Sequence, residues 1–131
     1  MNFHVNMRPR LIGQGPAFTI FAIDLSDEPG RVDCPAEDFI HNLPAPSQKS
    51  LVSILLFHAE KGPITNDEKS KELRDGIYEF KNRHKARLLY FYMPGRRTVL
   101  THGFIKSTNM ETSRQIERAK QMRESWKETQ R

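Results

Sequence analysis

Hydrophobic and polar positions change period several times along the chain, and each change marks an element. Ile77 to Arg83 alternates, Ala86 to Tyr92 is a nearly continuous apolar run, and Thr98 to Ile105 is again rich in β-formers. The three read as consecutive strands. Met93-Pro94-Gly95-Arg96 is a turn between the last two, because proline presets φ and glycine tolerates a positive one. Asn82-Arg83-His84-Lys85 is the turn between the first two. Upstream, Phe18 to Asp24 carries β-formers bounded by Pro16 and by Ser26-Asp27-Glu28-Pro29-Gly30, which gives one more strand.

Helical spacing occupies three other stretches. Pro35 suits a first helical position and is followed by Glu37 and Asp38, where the helix dipole favours anions. Phe39, Ile40 and Leu43 form the buried side, and Pro44 and Pro46 end that helix. Ser47 is placed to cap a second helix, Gln48 to Lys61, stopped by Gly62-Pro63. Leu51, Ile54, Leu55 and His58 mark its main face, widened by Val52 and Leu56, so it presses on a sheet and has surface left for a partner. Thr112 and Gln115 form a capping-box pattern for a last helix, on which Ile116, Ala119, Met122, Arg123 and Trp126 recur at helical spacing. Residues 1–16 show neither period and read as a loosely attached accessory arm, and 66–72 as a loop or single helical turn. Gly13-Gln14-Gly15 has no strand before it and no helix after it, so a nucleotide-loop reading is set aside. The predicted order is β-α-α-β-β-β-α. It is an α+β fold, one domain over residues 1–131, with an antiparallel sheet, two N-terminal helices and a C-terminal helix.

Charge sharpens this picture. Residues 69–106 hold ten cations against three anions, a net +7, while 1–68 carry −4 and 107–131 carry +2. The net positive charge therefore concentrates on a small β-meander, the footprint of a nucleic-acid or phosphate surface. With Cys34 the only cysteine, no intramolecular disulfide can form, which suits a reducing cytoplasm. The longest apolar runs are too short to span a bilayer, and no signal-peptide pattern opens the chain. A cytoplasmic location is expected.

Four blocks then resemble one family. They are Glu72-Leu73-Arg74-Asp75-Gly76-Ile77-Tyr78-Glu79-Phe80-Lys81, Ala86-Arg87-Leu88-Leu89-Tyr90-Phe91-Tyr92, Leu100-Thr101-His102-Gly103-Phe104-Ile105-Lys106-Ser107-Thr108, and Arg114-Gln115-Ile116-Glu117-Arg118-Ala119-Lys120. In this order they resemble the RelE/ParE toxin superfamily, in its phage-related, HigB-like branch. Lys81 stands where that branch usually has arginine, Ser107 replaces a lysine, and Thr112-Ser113 replaces Thr-Pro. The resemblance implies a RelE-like fold and the toxin of a type II toxin–antitoxin pair. It implies a metal-independent endoribonuclease that cuts mRNA on the ribosome, without a cofactor. The implied partners are mRNA, the ribosome and a HigA-like helix-turn-helix antitoxin, with no membrane. Two other functions stay open: a ParE-like inhibitor that binds DNA gyrase, and an inactive member that only binds nucleic acid or antitoxin.

RNA supplies its own nucleophile, the 2′-hydroxyl, so a metal-free site must align it, neutralise developing charge and move protons. Arg87 is the leading candidate. It is a cation inside an apolar strand, and the resemblance puts a phosphate-binding arginine there; a buried ion pair, for instance with Glu79, is the competing reading. Lys81 and Lys106 join it as catalytic candidates, each also readable as a solvated strand-end charge. His102 is the candidate proton carrier, with a satisfied structural histidine as its alternative. Arg83, His84 and Lys85 are candidates for binding RNA phosphates, Lys85 doubling as a turn residue. Tyr90 and Tyr92 read first as core and second as base-stacking platforms. The histidines are too scattered, and too far from any cysteine in sequence, for a metal site.

Overall fold

The computed structural model describes residues 6–130. Its elements are β1 (Arg8–Gln14), β2 (Thr19–Asp24), α1 (Pro35–His41), α2 (Ala45–Lys61), β3 (Ser70–Arg74), β4 (Ile77–Lys81), β5 (Ala86–Met93), β6 (Arg97–Ile105) and α3 (Asn109–Thr129). One sheet holds all six strands in the order β1-β2-β6-β5-β4-β3. The mixed α+β class is as expected. The order is not: β-β-α-α-β-β-β-β-α replaces β-α-α-β-β-β-α. Nor is the sheet wholly antiparallel, since β2 runs parallel to β6 from Thr19↔Arg97 to Ala22↔Leu100.

Both extra strands lie at the sheet edges, where sequence patterning is weakest. Residues 8–14, read as part of a loose arm, form β1 and pair with β2 from Arg8↔Asp24 to Gln14↔Thr19. The arm's first five residues lie outside the described residues. Gly15 sits in the turn after β1, where the backbone N–H groups of Ala17 and Phe18 both donate to the Ala59 carbonyl (2.9 and 3.1 Å). A side chain on Gly15 would collide with that same carbonyl, so glycine permits a close backbone approach and not a phosphate loop. Residues 70–74 form β3, beginning within the 66–72 stretch expected to be a loop or single helical turn. Its hairpin to β4 turns at Asp75 and Gly76, both at positive φ (53° and 77°), which fits the right-handed strand twist.

β5 is apolar at almost every position because both its faces are covered. Ala86, Leu88 and Tyr90 meet α1 and α2 in one cluster with Ile20, Leu51, Leu55 and Leu100. Leu89 and Phe91 join Ile77, Val99, Ile116, Met122 and Trp126 under α3 in a second cluster. A bulge in β6 divides its side chains between the two. Leu88 faces Gly103 and Tyr90 faces Leu100, so Thr101 and His102 together oppose Leu89. Leu100 thereby enters the first core while His102 turns to α3.

Two helix starts differ from expectation. α2 begins directly after Pro44, and Ser47 is not its cap. Ser47 is buried in the first turn, where its carbonyl and hydroxyl accept from Asn82 Nδ2 (3.0 and 3.1 Å). α3 starts at Asn109, earlier than the Thr112 box predicts. Thr108 is the cap, accepting from the Glu111 backbone N–H (3.0 Å). The far side of α3 is tied to the β3–β4 turn by Lys120–Asp75 (2.9 Å), by Arg74–Glu117 (3.2 Å) and by Arg123 donating to the Asp75 carbonyl.

α1 crosses β6 at Gly103, where a Cβ would fall inside the Phe39 ring. We expect Gly103→Ala to destabilise the fold by about 1–3 kcal/mol through overpacking. Urea unfolding would check this, and a midpoint unchanged from wild type would show that Phe39 simply moves aside.

Candidate nucleic-acid interface

The turn between β4 and β5 is built by Asn82. Its Oδ1 accepts from the backbone N–H groups of His84 (3.0 Å) and Ala86 (3.1 Å), and its Nδ2 reaches Ser47 on α2. Lys85, at φ 65°, completes the turn, which is the role expected for it. This clamp fixes the geometry of the cations around it.

Arg87 projects from β5 toward the α3 side at the edge of the core and is 8% exposed. Its Nη1 donates to the Asn82 and Ala86 carbonyls, both at 3.1 Å. Its Nε lies 3.4 Å from Glu79 Oε1, a buried ion pair whose angle does not make a hydrogen bond, so Nε has no hydrogen-bond partner. The buried pair weighed from the sequence therefore exists. Lys81 pairs with Arg87 in register across β4 and β5. An open cleft joins Lys81, Arg83 and Arg87 to Lys69, with Asp67 and Glu68 on the same wall. Lys106 continues beyond β6, its backbone N–H donating to the Lys85 carbonyl (2.8 Å).

The other candidates do not converge there. His84 is exposed on the turn but lines a separate hollow with Leu43, Pro44 and Ile105. His102, at 1% exposure, is enclosed. Its Nε2 meets Gln115 Oε1 at 2.7 Å, and Gln115 Nε2 donates in turn to Glu111 Oε1 at 2.7 Å. With the amide oriented by Glu111, the proton belongs on His102 Nε2. Nδ1 is left facing the Thr101 hydroxyl at 3.1 Å, and that hydroxyl also lies 3.3 Å from the Leu89 carbonyl. Burial, and then the nearby Arg118 charge, hold the His102 pKa down to about 4 against the raising bond from Gln115. It is a neutral, satisfied histidine, and as a proton carrier facing substrate it has no access.

Sequence reasoning overlooked Lys69 as a member of the cleft and the Gln115–Glu111 chain behind His102. Lys69 was hidden by reading its segment as a loop. Gln115 does fall three residues after Thr112, but its actual work is with Glu111 and His102 and not with a cap. Among the described residues, no group of three His, Cys, Asp or Glu side chains is placed to hold a metal ion. No described helix is long and apolar enough to cross a membrane.

The fold and cleft together define a small α+β protein with a cationic pocket where a helix-covered sheet ends, a class suited to gripping a phosphate backbone. The family model described as phage derived protein Gp49-like (DUF891) matches residues 38–124, and the chain belongs to that family. The family is a toxin-like one, associated with the toxins of toxin–antitoxin systems. The match spans the whole cleft and begins after β2, inside α1. No curated protein matches the chain.

Proposed function

We propose that the chain is the toxin of a type II toxin–antitoxin pair and that it cuts messenger RNA on the ribosome in the cytoplasm. The observation that carries this reading is the cross-strand pair Lys81 and Arg87, sharing one cleft with Arg83 and Lys69. Cations so placed bind consecutive RNA phosphates and stabilise charge as the 2′-oxygen attacks phosphorus and the 5′-oxygen departs. His102 is enclosed and His84 opens on a separate hollow, so neither histidine lines the cleft. Lys106 extends the basic surface past the sheet end. The partner in this reading is a HigA-like helix-turn-helix antitoxin, with an acidic segment that covers the cleft.

A second reading is binding without cleavage, and the enclosure of His102 favours it. One experiment separates them. The chain is induced in bacteria without any neighbouring gene, and mRNA 5′ ends are mapped by primer extension. In-frame cuts that fall at least tenfold in Lys81→Ala/Arg83→Ala support cleavage at this cleft. These two side chains are half-buried and exposed, so their loss leaves the core intact. RNA retention without cuts supports binding alone. Growth arrest with intact mRNA and lost DNA supercoiling would instead point to gyrase.

A further inference from the structure

Past the C-terminal end of α2 lies a second pocket, sharing only Asp67 with the cleft, that the cleft does not explain. Its floor is aromatic. Tyr78, Tyr90 and Tyr92 pack mutually, with ring centroids 5.0–5.5 Å apart, and Phe18 closes one side at 5.4 Å from Tyr92. A hydrocarbon core would be served by phenylalanine at these places, as it is at neighbouring Phe80, which stacks on Tyr90 at 4.0 Å. Instead the Tyr90 hydroxyl meets the Ser70 hydroxyl at 2.6 Å, and both residues line the pocket. Tyr78 and Tyr92 are only half-buried, so part of each ring faces the opening. Burial raises the pKa of Tyr92, against a lowering hydrogen bond with Tyr90 and with the nearby Tyr78 adding to the rise, so the phenol stays protonated and able to donate.

The rim carries both charges, Lys71 and Arg96 beside Asp67 and Glu72. We propose that this pocket binds a ribonucleotide, its base stacked on one of Tyr78 and Tyr92 and met edge-on by the other, whose ring stands at 70° to it. Hydroxyls that both donate and accept suit the edge of a purine or pyrimidine and reward nothing on a hydrocarbon ring. Aromatic platforms take any base through its π-face. The mixed rim also fits: the cations meet phosphate and the carboxylates accept from ribose hydroxyls, whereas an acidic peptide would be repelled by Asp67 and Glu72. A volume of about 720 Å³ accommodates a nucleotide. The nucleotide is either free or one residue of a strand whose neighbours pass over the sheet edge at β3. Because this pocket and the cationic cleft share only Asp67 among their lining residues, and no tyrosine lines the cleft, variants of the two can be read apart.

The test is isothermal titration of the full chain with AMP, GMP, CMP and UMP, with inorganic phosphate, and with single-stranded RNA hexamers. At least one nucleotide is expected to saturate a single site, and phosphate alone is not. Tyr78→Leu and Arg96→Gln should each weaken that binding at least tenfold, while Lys81→Ala in the cleft leaves it unchanged. Urea midpoints confirm that each variant is folded, and since Arg96 is exposed its replacement remains informative if Tyr78→Leu unfolds. A hexamer bound a hundredfold tighter than any mononucleotide assigns the pocket to a strand, and equal affinities assign it to free nucleotides. Absence of binding by all nucleotides and hexamers overturns the proposal. So does binding indifferent to Arg96→Gln, or preference for N-acetyl-tryptophanamide, which would make the pocket a seat for an aromatic peptide side chain.

Discussion

Arg87→Ala is expected to destabilise the protein by about 3–5 kcal/mol, whatever it does to function. The substitution leaves Glu79 buried at 4% exposure with its cation gone, and removes the donor that the Asn82 and Ala86 carbonyls share. Truncating one partner of a buried pair is far worse than replacing both, so Glu79→Gln with Arg87→Gln should recover much of the loss. A double-mutant cycle by urea unfolding at neutral pH checks this, with a coupling above about 1 kcal/mol expected. Strict additivity would show that the 3.4 Å approach contributes nothing to stability. For any toxicity assay, loss of activity in Arg87→Ala alone mixes chemistry with unfolding, which is why the more exposed cations of the cleft are the better probes.

Acid should weaken the fold well before its carboxylates protonate. His58 is fully buried, bonded through Nε2 to Thr98 Oγ1 (2.8 Å) and stacked on Phe18 at 4.5 Å. Burial lowers its pKa from 6.5 to about 4, and His102 sits at about 4 for the same leading reason. The unfolded chain takes up both protons below about pH 6.5, while the folded chain refuses them until about pH 4. Stability is thus complete above the unfolded value and is lost as pH falls through this window. At pH 5 the loss is about 2 kcal/mol per histidine. Urea midpoints measured at half-unit steps from pH 7 to pH 5 would reveal it, and His102→Gln should remove about half of the slope. A flat profile would mean that water reaches both rings in the folded state.

The central strands were legible because burial on two faces leaves little freedom in β5, and because Pro94-Gly95 dictates the turn that follows it. The edge strands were not. In Ser70-Lys71-Glu72-Leu73-Arg74 only Leu73 is apolar, and all but Ser70 and Leu73 are exposed, so no alternation survives. Asp75-Gly76 was the available signal for that hairpin, outweighed by the polarity around it. β1 was obscured in a similar way by Pro9 and by the irregular pairing between Leu11 and Gly13. At the cleft, alternation on β4 put Lys81 on the Glu79 side, and the Glu79–Arg87 pair was foreseeable from a charge in an apolar strand. A satisfied structural His102 was one of the two readings the sequence allowed, but its partner was not foreseeable. That partner depends on where Gln115 falls on α3, and hence on a helix that begins at Asn109, capped by Thr108 and not by Thr112.

The parallel pairing of β2 with β6 has a consequence for how the chain reaches this structure. Its two strands are separated by about eighty residues, so the β1–β2 hairpin emerges from a ribosome long before its neighbour exists. Until then Ile20 and Ala22 can shelter only under α1 and α2, while Ile23, whose partners include β6 and α3 residues, still lacks them. The meander from Ser70 to Ile105 can assemble locally, but the sheet closes only when β6 offers its free edge. The N-terminal hairpin therefore keeps one unpaired edge until β6 is made, and the nascent chain carries an adhesive strand for most of its translation.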